Sequence, residues 1–301
     1  MLLTLKTFDK QVIVLSTNQK VQIARTISNI FLKFRHPFKL SDTVIVTRKN
    51  LRWSLNLKEG IDLAIYLLGG FELRTRSIYT KLIKPGDVVF DIGSNIGAHT
   101  LPFARLVGAN GRVFSFEPTS YAFAKQQINI SLNPTLGSRI FEHQTMLTAT
   151  ESTPLAELIY SSWPLEAAHD LHNGHQGRLM GTQGAKVSTL DSFVRNAKIN
   201  RINLIKLDVD GNEHDVLLGG IKVIETYRPL IIIELAPYVF DDQPEIFDDN
   251  LKLLWSRDYE IFDMGSKNKF PHNPSIVRAS IPIGGGINAL AAPDAIYPVN
   301  K

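Results

Sequence analysis

From about residue 85 onward, apolar runs too short for helices alternate with stretches of helical periodicity, and this alternation restricts the fold of the 301-residue chain most strongly. DVVFDIG (87–93), GRVFSFEP (111–118), RIFEHQTML (139–147), INLIKLDVDG (202–211) and PLIIIELAP (229–237) read as strands. Helical stretches follow through Leu101, Phe103, Ala104, Leu106 and Val107, through SYAFAKQQINISLN (120–133), and through NEHDVLLGGIKVIETY (212–227). Strands linked by helices pair in parallel, so the expected fold is α/β, a doubly wound sheet of about seven strands. YEIFDMGS and INALAAPD are expected to close it as an antiparallel pair, and about 150–186 reads as a polar loop. Residues 76–301 would form this domain. Residues 1–75 would be appended to it, with a hairpin in VIVTRKNLRWSLNL (44–57) and a helix in EGIDLAIYLLGGFE (59–72) against the ligand edge.

The absence of cysteine excludes disulfides, thiolate metal sites and cysteine nucleophiles. The first twenty residues are broken by Lys6, Asp9 and Lys10 and do not read as a secretion signal, and no run approaches a membrane span, so a soluble, cytoplasmic protein is expected. A net charge of +4 is small for this length and implies no nucleic-acid partner. Basic residues do concentrate in 20–39, where Ile23, Ile27, Ile30, Phe31 and Phe34 recur at helical spacing beside Lys33, Arg35, His36 and Lys39. Such a stretch either packs on the main domain or touches an anionic membrane.

VVFDIGSNIGAHT (88–100) sets Asp91 at a strand end and follows it with Gly93 and Gly97 around Ser94 and Asn95. A strand, a glycine turn and a helix start make a nucleotide-type site, because the turn lets a ligand approach the backbone. The turn lacks the G-x-G-x-x-G spacing of dinucleotide folds. A carboxylate there would repel a pyrophosphate but attract the ammonium and sulfonium of S-adenosylmethionine. Glu117 closes the second strand, where an acid can accept from both ribose hydroxyls of either cofactor.

DVVFDIGSNIGAHTL, VFSFEP, STLDSF (188–193), INLIKLDVDGNEHDVLLGG (202–220) and RPLIIIEL (228–235), in that order, resemble the FkbM-type S-adenosylmethionine-dependent methyltransferases. The resemblance covers roughly 50–240 and implies a class I methyltransferase (Rossmann-like) fold. It places Asp91, Gly93, Asn95, Gly97 and Glu117 at cofactor positions. Ser94, within the same turn, is a further cofactor candidate, and Met146 is expected near the adenine. It also implies O-methylation of a sugar, polysaccharide, glycolipid or natural-product hydroxyl. Asp210 departs from it, standing where the family more often has glutamate.

Among the acids at strand ends, Asp208 is the first candidate to orient or deprotonate the acceptor, with Glu213, His214 and Glu234 as helpers. Each has a plainer reading: a loop cap for Asp208, a helix-dipole partner for Glu213, a loop hydrogen bond for Glu234. Asp208, Asp210 and Glu234 together could hold Mg²⁺ or Ca²⁺, but acids around a cationic cofactor need no metal, and none is assigned. His99 is expected to pack or cap. His169, His172 and His175, in HDLHNGHQGR, read as a solvated or substrate-covering loop. The alternatives are an NAD(P)-dependent oxidoreductase and a non-catalytic S-adenosylmethionine-binding module.

Overall fold

A computed structural model describes residues 16–161, 163–165 and 177–293. The chain opens with α1 (Thr17–Arg35), the hairpin β1 (Thr43–Arg48) and β2 (Leu51–Asn56), then α2 (Gly60–Leu68) and α3 (Leu73–Leu82). The α/β alternation follows: β3 (Val88–Ile92), α4 (Thr100–Leu106), β4 (Arg112–Phe116), α5 (Ser120–Ser131), the single turn α6 (Pro134–Gly137) and β5 (Ile140–His143). Next come the short strands β6 (Thr145–Leu147), β7 (Leu158–Ser161), β8 (Arg178–Gly181) and β9 (Lys186–Ser188). The chain returns through α7 (Leu190–Asn196), β10 (Leu204–Leu207), α8 (Glu213–Leu218), α9 (Ile221–Tyr227) and β11 (Leu230–Leu235). It ends with α10 (Pro244–Trp255), β12 (Glu260–Asp263), α11 (Pro274–Ser280) and β13 (Ile287–Ala292).

Seven strands form one sheet in the order β12-β13-β11-β10-β3-β4-β5. Only β13 runs antiparallel to its neighbours. This is the doubly wound class I methyltransferase sheet that the resemblance implies, closed by the antiparallel pair β12 and β13. Strand order reverses at β3, where β10 lies on one side and β4 on the other, so ligands are expected beyond the carboxyl ends of these three strands.

Side chains alternate across the sheet with a period of two, and each face has its own core. Phe90, Ile92, Phe116, Leu207 and Ile233 meet Val194, Val216, Ile224, Phe247 and Leu254 from α7 to α10. On the other face Val89, Leu204 and Ile232 meet Trp53 and Leu55 of the hairpin, Ile78 and Tyr79 of α3, and Leu101 and Phe103 of α4. The N-terminal hairpin thus closes one face of the sheet, and the expected boundary at residue 75 falls inside α3.

Three expectations need correction. The run 139–147 is two strands, because β6 leaves the sheet to pair in parallel with β9. The helix expected over 212–227 is broken between α8 and α9, where a side chain on Gly219 would meet the Thr148 carbonyl oxygen at 2.1 Å. The region expected as a loop holds the antiparallel pair β7–β8, half-exposed and too short to show a period. His169, His172 and His175 lie outside the described residues.

Candidate active site

Beyond the switch point the glycine turn is locked from two sides. Gly93 has φ +81°, and a Cβ there would stand 1.7 Å from the Asp208 carbonyl oxygen, so only glycine lets the two strand ends close on each other. Glu117 holds the turn from the β4 side. Its Oε2 accepts from the Asn95 N–H at 2.9 Å, and its Oε1 accepts from the Thr119 N–H at 2.9 Å and the Thr119 hydroxyl. Ser94 donates to Gln126 Oε1 at 2.6 Å. Gly97, φ +84°, shapes the turn and walls neither cavity described next.

One cavity of about 280 Å³ runs along this turn. Gly93, Asn95, Glu117, Met146, Asp208 and Asp210 wall it, and β7 contributes Leu158 to Ser161. A smaller one of about 60 Å³ adjoins it and shares Gly93, Asn95, Asp208 and Asp210. Its remaining walls include Phe71, Glu72, His99, Trp163, Lys206 and Glu234. Asn95, Asp210 and Glu72 all stand in left-handed backbone conformations, with φ of 47°, 51° and 43°. Such strain persists only where surrounding structure enforces it, and here it lines the cavities.

Lys206, absent from the candidates above, walls the smaller chamber. It projects from β10 to the same face as Asp91, its register partner on β3, and is 2% exposed. Its Nζ donates to Asp208 Oδ2 at 2.7 Å. Burial works against its charge, but Asp208, Glu72 and Asp91 outweigh burial and hold its pKa above the ordinary lysine value.

The acids around it divide into two kinds. Burial, reinforced by the Asp208 charge, pushes Asp210 and Glu234 well above the usual carboxylate range. Burial also works to raise Glu72, yet His99, Lys206 and Asn288 overcome it and hold its pKa at about 2. His99 Nε2 lies 3.2 Å from Glu72 Oε2, its Nδ1 lies 3.3 Å from the Tyr79 hydroxyl, and Asn288 donates to Glu72 Oε1 at 2.9 Å. His99 therefore faces the chamber as well as packing against α3.

Asp208, Asp210 and Glu234 can each bring one oxygen within 4.8 Å of the others, so they are the described residues able to hold a metal. Lys206 already pairs with Asp208 of this group.

Three expected site residues stand elsewhere. Asp91 is buried behind the turn, accepting from the Thr100 hydroxyl at 2.6 Å through Oδ2, and is not among the residues walling either cavity. Its Oδ1 has no hydrogen-bond partner among the described residues. Glu213 accepts from the Val209 N–H at 3.0 Å and the Gly211 N–H at 3.1 Å, which pins the loop after β10. Burial raises it to about 7. His214 turns to Asn250 of α10, with Nδ1 2.9 Å from Oδ1. Glu213 and His214 thus hold the loop and the neighbouring helix in place.

Comparison with known proteins yields a family match and several relatives. The family model "Methyltransferase FkbM domain" matches residues 91–261, more than half of the chain. Hexuronic acid methyltransferase AglP of Haloferax volcanii is 28% identical over 150 residues, covering 50% of this chain and 56% of that protein. 2-O-methyltransferase NoeI of Sinorhizobium fredii is 27% identical over 165 residues, covering 51% and 65%. The matches therefore span less than two thirds of either relative. Among solved structures, methyltransferase FkbM from Methylobacillus flagellatus is 17% identical with a TM-score of 0.42, covering 72% of this chain and 50% of that one.

Proposed function

This chain belongs to the FkbM methyltransferase family, and from that premise we propose that it transfers a methyl group from S-adenosylmethionine to a hydroxyl of a sugar-containing or natural-product acceptor. The observation that carries this reading is the pairing of two cavities through Asp208 and Asp210. The larger suits a nucleoside-sized ligand, and the smaller gathers titratable groups where the two adjoin.

The residues fit the cofactor by their chemistry. Glu117 Oε2, which holds one backbone N–H, keeps a lone pair for a ribose hydroxyl. Met146 and Leu158 offer apolar surface to an adenine, and the Gly93–Asn95 backbone offers a close approach to the amino-acid end. Asp91, whose Oδ1 is unmatched behind the turn, contributes negative potential there rather than direct contact. When bound, S-adenosylmethionine supplies an electrophilic methyl on a sulfonium centre.

On the protein's side, Asp208 accepts the acceptor's hydroxyl proton. Lys206, fixed to Oδ2, orients this carboxylate and leaves Oδ1 for the hydroxyl. Burial and the Asp208 charge raise the proton affinity of Asp210 and Glu234, and a carboxyl that keeps its proton there can donate a hydrogen bond to a neighbouring acceptor oxygen. Phe71 and Trp163, rings 5.6 Å apart, form an aromatic wall suited to the apolar face of a sugar. AglP and NoeI, by name a hexuronic acid and a 2-O-methyltransferase, favour a sugar hydroxyl. Family membership displaces the nicotinamide reading, and a cytoplasmic site of action remains part of the proposal.

The test is transfer of a radiolabelled methyl group to a panel of hydroxylated glycans and glycolipids by the wild type and by Asp208→Asn. The expected result is label on a hydroxyl oxygen, with turnover reduced at least about a hundredfold in the variant at unchanged cofactor affinity. Normal turnover by Asp208→Asn would remove the assigned base.

A further inference from the structure

α1 packs on the domain by one face only. Val21, Ser28 and Leu32 are buried, the Ser28 hydroxyl donates to the Leu57 carbonyl at 3.0 Å, and Arg25 Nε donates to the Leu165 carbonyl at 3.1 Å. Ile23, Ile27, Ile30 and Phe34 lie on the opposite side, within about 60° of arc at 100° per residue, and are exposed. Phe34 is 72% exposed, and Phe38, in the turn that follows, 74%.

Two further observations say what covers this stripe. The first is charge. Lys20 falls on one flank and Lys33 on the other, Arg35 and Lys39 follow, and no acid occurs between Asp9 and Asp42. A protein partner matched to this helix would need only an acidic rim, but a stripe of large apolar side chains between unopposed cations is the pattern that seats in an anionic headgroup layer.

The second is continuity with the chamber. On the Lys20 flank, Lys20, Val21 and Ala24 wall an apolar cavity of about 450 Å³ under α1. That cavity shares Phe71, Glu72 and Trp163 with the small chamber holding Lys206 and Glu234. The cavity beside the exposed stripe therefore abuts the chamber of the reacting groups, with Phe71, Glu72 and Trp163 as their common wall.

We propose that α1 docks this protein on an anionic bilayer, with Ile23, Ile27, Ile30, Phe34 and Phe38 entering the headgroup region and the flanking lysines holding the lipid phosphates. No described helix is long and apolar enough to cross a membrane, so the attachment is peripheral. The docking stands apart from the methyl-transfer reading. What it adds there is a route for a lipid-borne acceptor, its apolar chain under α1 and its hydroxyl in the chamber.

The experiment is co-sedimentation of the full chain with vesicles of pure phosphatidylcholine and of phosphatidylcholine with about a third phosphatidylglycerol. Two double variants accompany it, Ile30→Ser with Phe34→Ser and Lys33→Glu with Lys39→Glu, all outside both cavities of the active site. Each protein is also titrated with S-adenosylmethionine and sized by light scattering. The expected result is binding to anionic vesicles, weak binding to neutral ones, and roughly a tenfold or greater loss in each variant at unchanged cofactor affinity.

Wild type that stays in the supernatant with anionic vesicles, or variants that sediment as it does, would overturn the proposal. So would a dimer that the apolar variant converts to monomer without loss of vesicle binding, which would assign the stripe to a second copy. Failure of every protein to bind S-adenosylmethionine would count against the methyl-transfer reading and leave the vesicle result to judge the docking alone.

Discussion

The same parallel strands face two interiors of opposite kind. Toward α7–α10, β3, β10 and β11 present Phe90, Ile92, Leu207 and Ile233, and the space is filled by hydrocarbon. Toward the N-terminal hairpin, the same strands begin with Val89, Leu204 and Ile232 and then place Asp91, Lys206 and Glu234 at their carboxyl ends. One face holds the sheet together, while the other gives up apolar burial at one end for a buried charge network. Because neighbouring residues on a strand belong to different faces, stability and chemistry are coded in alternate positions of the same few residues.

The sharpest way to break this contrast is to remove the cation from the polar face. Lys206→Met removes the cation that Asp208, Asp91 and Glu72 share and is expected to cost about 3–5 kcal/mol in urea unfolding, together with activity. Pairing it with Asp208→Asn should return part of that stability and none of the activity. On the apolar face, Ile233→Ala is expected to cost about 3 kcal/mol through the cavity it leaves, with cofactor affinity retained. Similar losses of stability with different losses of function would confirm the division, and equal functional losses would refute it.

Gly93→Ala sits between the two faces. Its added Cβ collides with the Asp208 backbone, so calorimetric affinity for S-adenosylmethionine should fall at least about tenfold, with stability lowered by more than about 1 kcal/mol. A smaller effect is pH-dependent. Glu213, raised by burial to about 7, binds its proton more tightly when folded than unfolded. Stability should therefore fall as pH rises from about 4.5 to about 7, by at most about 1.4 kcal/mol per unit, and level off above. Glu213→Gln should flatten that slope in unfolding curves taken across the range. The smallest effect is expected of His214→Ala, about 1 kcal/mol from the lost contact with Asn250 and no change in kcat.

Much of the sheet was legible because buried parallel strands are nearly continuous apolar runs, and VVFDI and LIIIEL could be little else. The acids at their ends were legible for the same reason, since a carboxylate closing such a run needs a use or a partner. Lys206 carried a signal of the same kind: a lysine inside INLIKLD, two residues before Asp208, shares its face. Contacts across long stretches of chain were not legible. Glu72 reaches the chamber by a hydrogen bond from Asn288, 216 residues away, and nothing local in GGFELR announces it. Likewise β7 walls the larger cavity although LIYS is too short to reveal a period. Asp91 ends the expected strand, but that its hydroxyl partner is Thr100 and that it walls neither cavity is set by the turn between them in three dimensions, which a strand pattern does not show.

The most direct measurement is calorimetric titration of the wild type and Glu117→Ala with S-adenosylmethionine, S-adenosylhomocysteine and NAD(H). Binding of both sulfur ligands by the wild type, no binding of NAD(H), and at least about tenfold weaker affinity in Glu117→Ala are predicted. Binding of NAD(H) alone, or sulfur-ligand affinity untouched in Glu117→Ala, would contradict the assignment of the larger cavity to the cofactor.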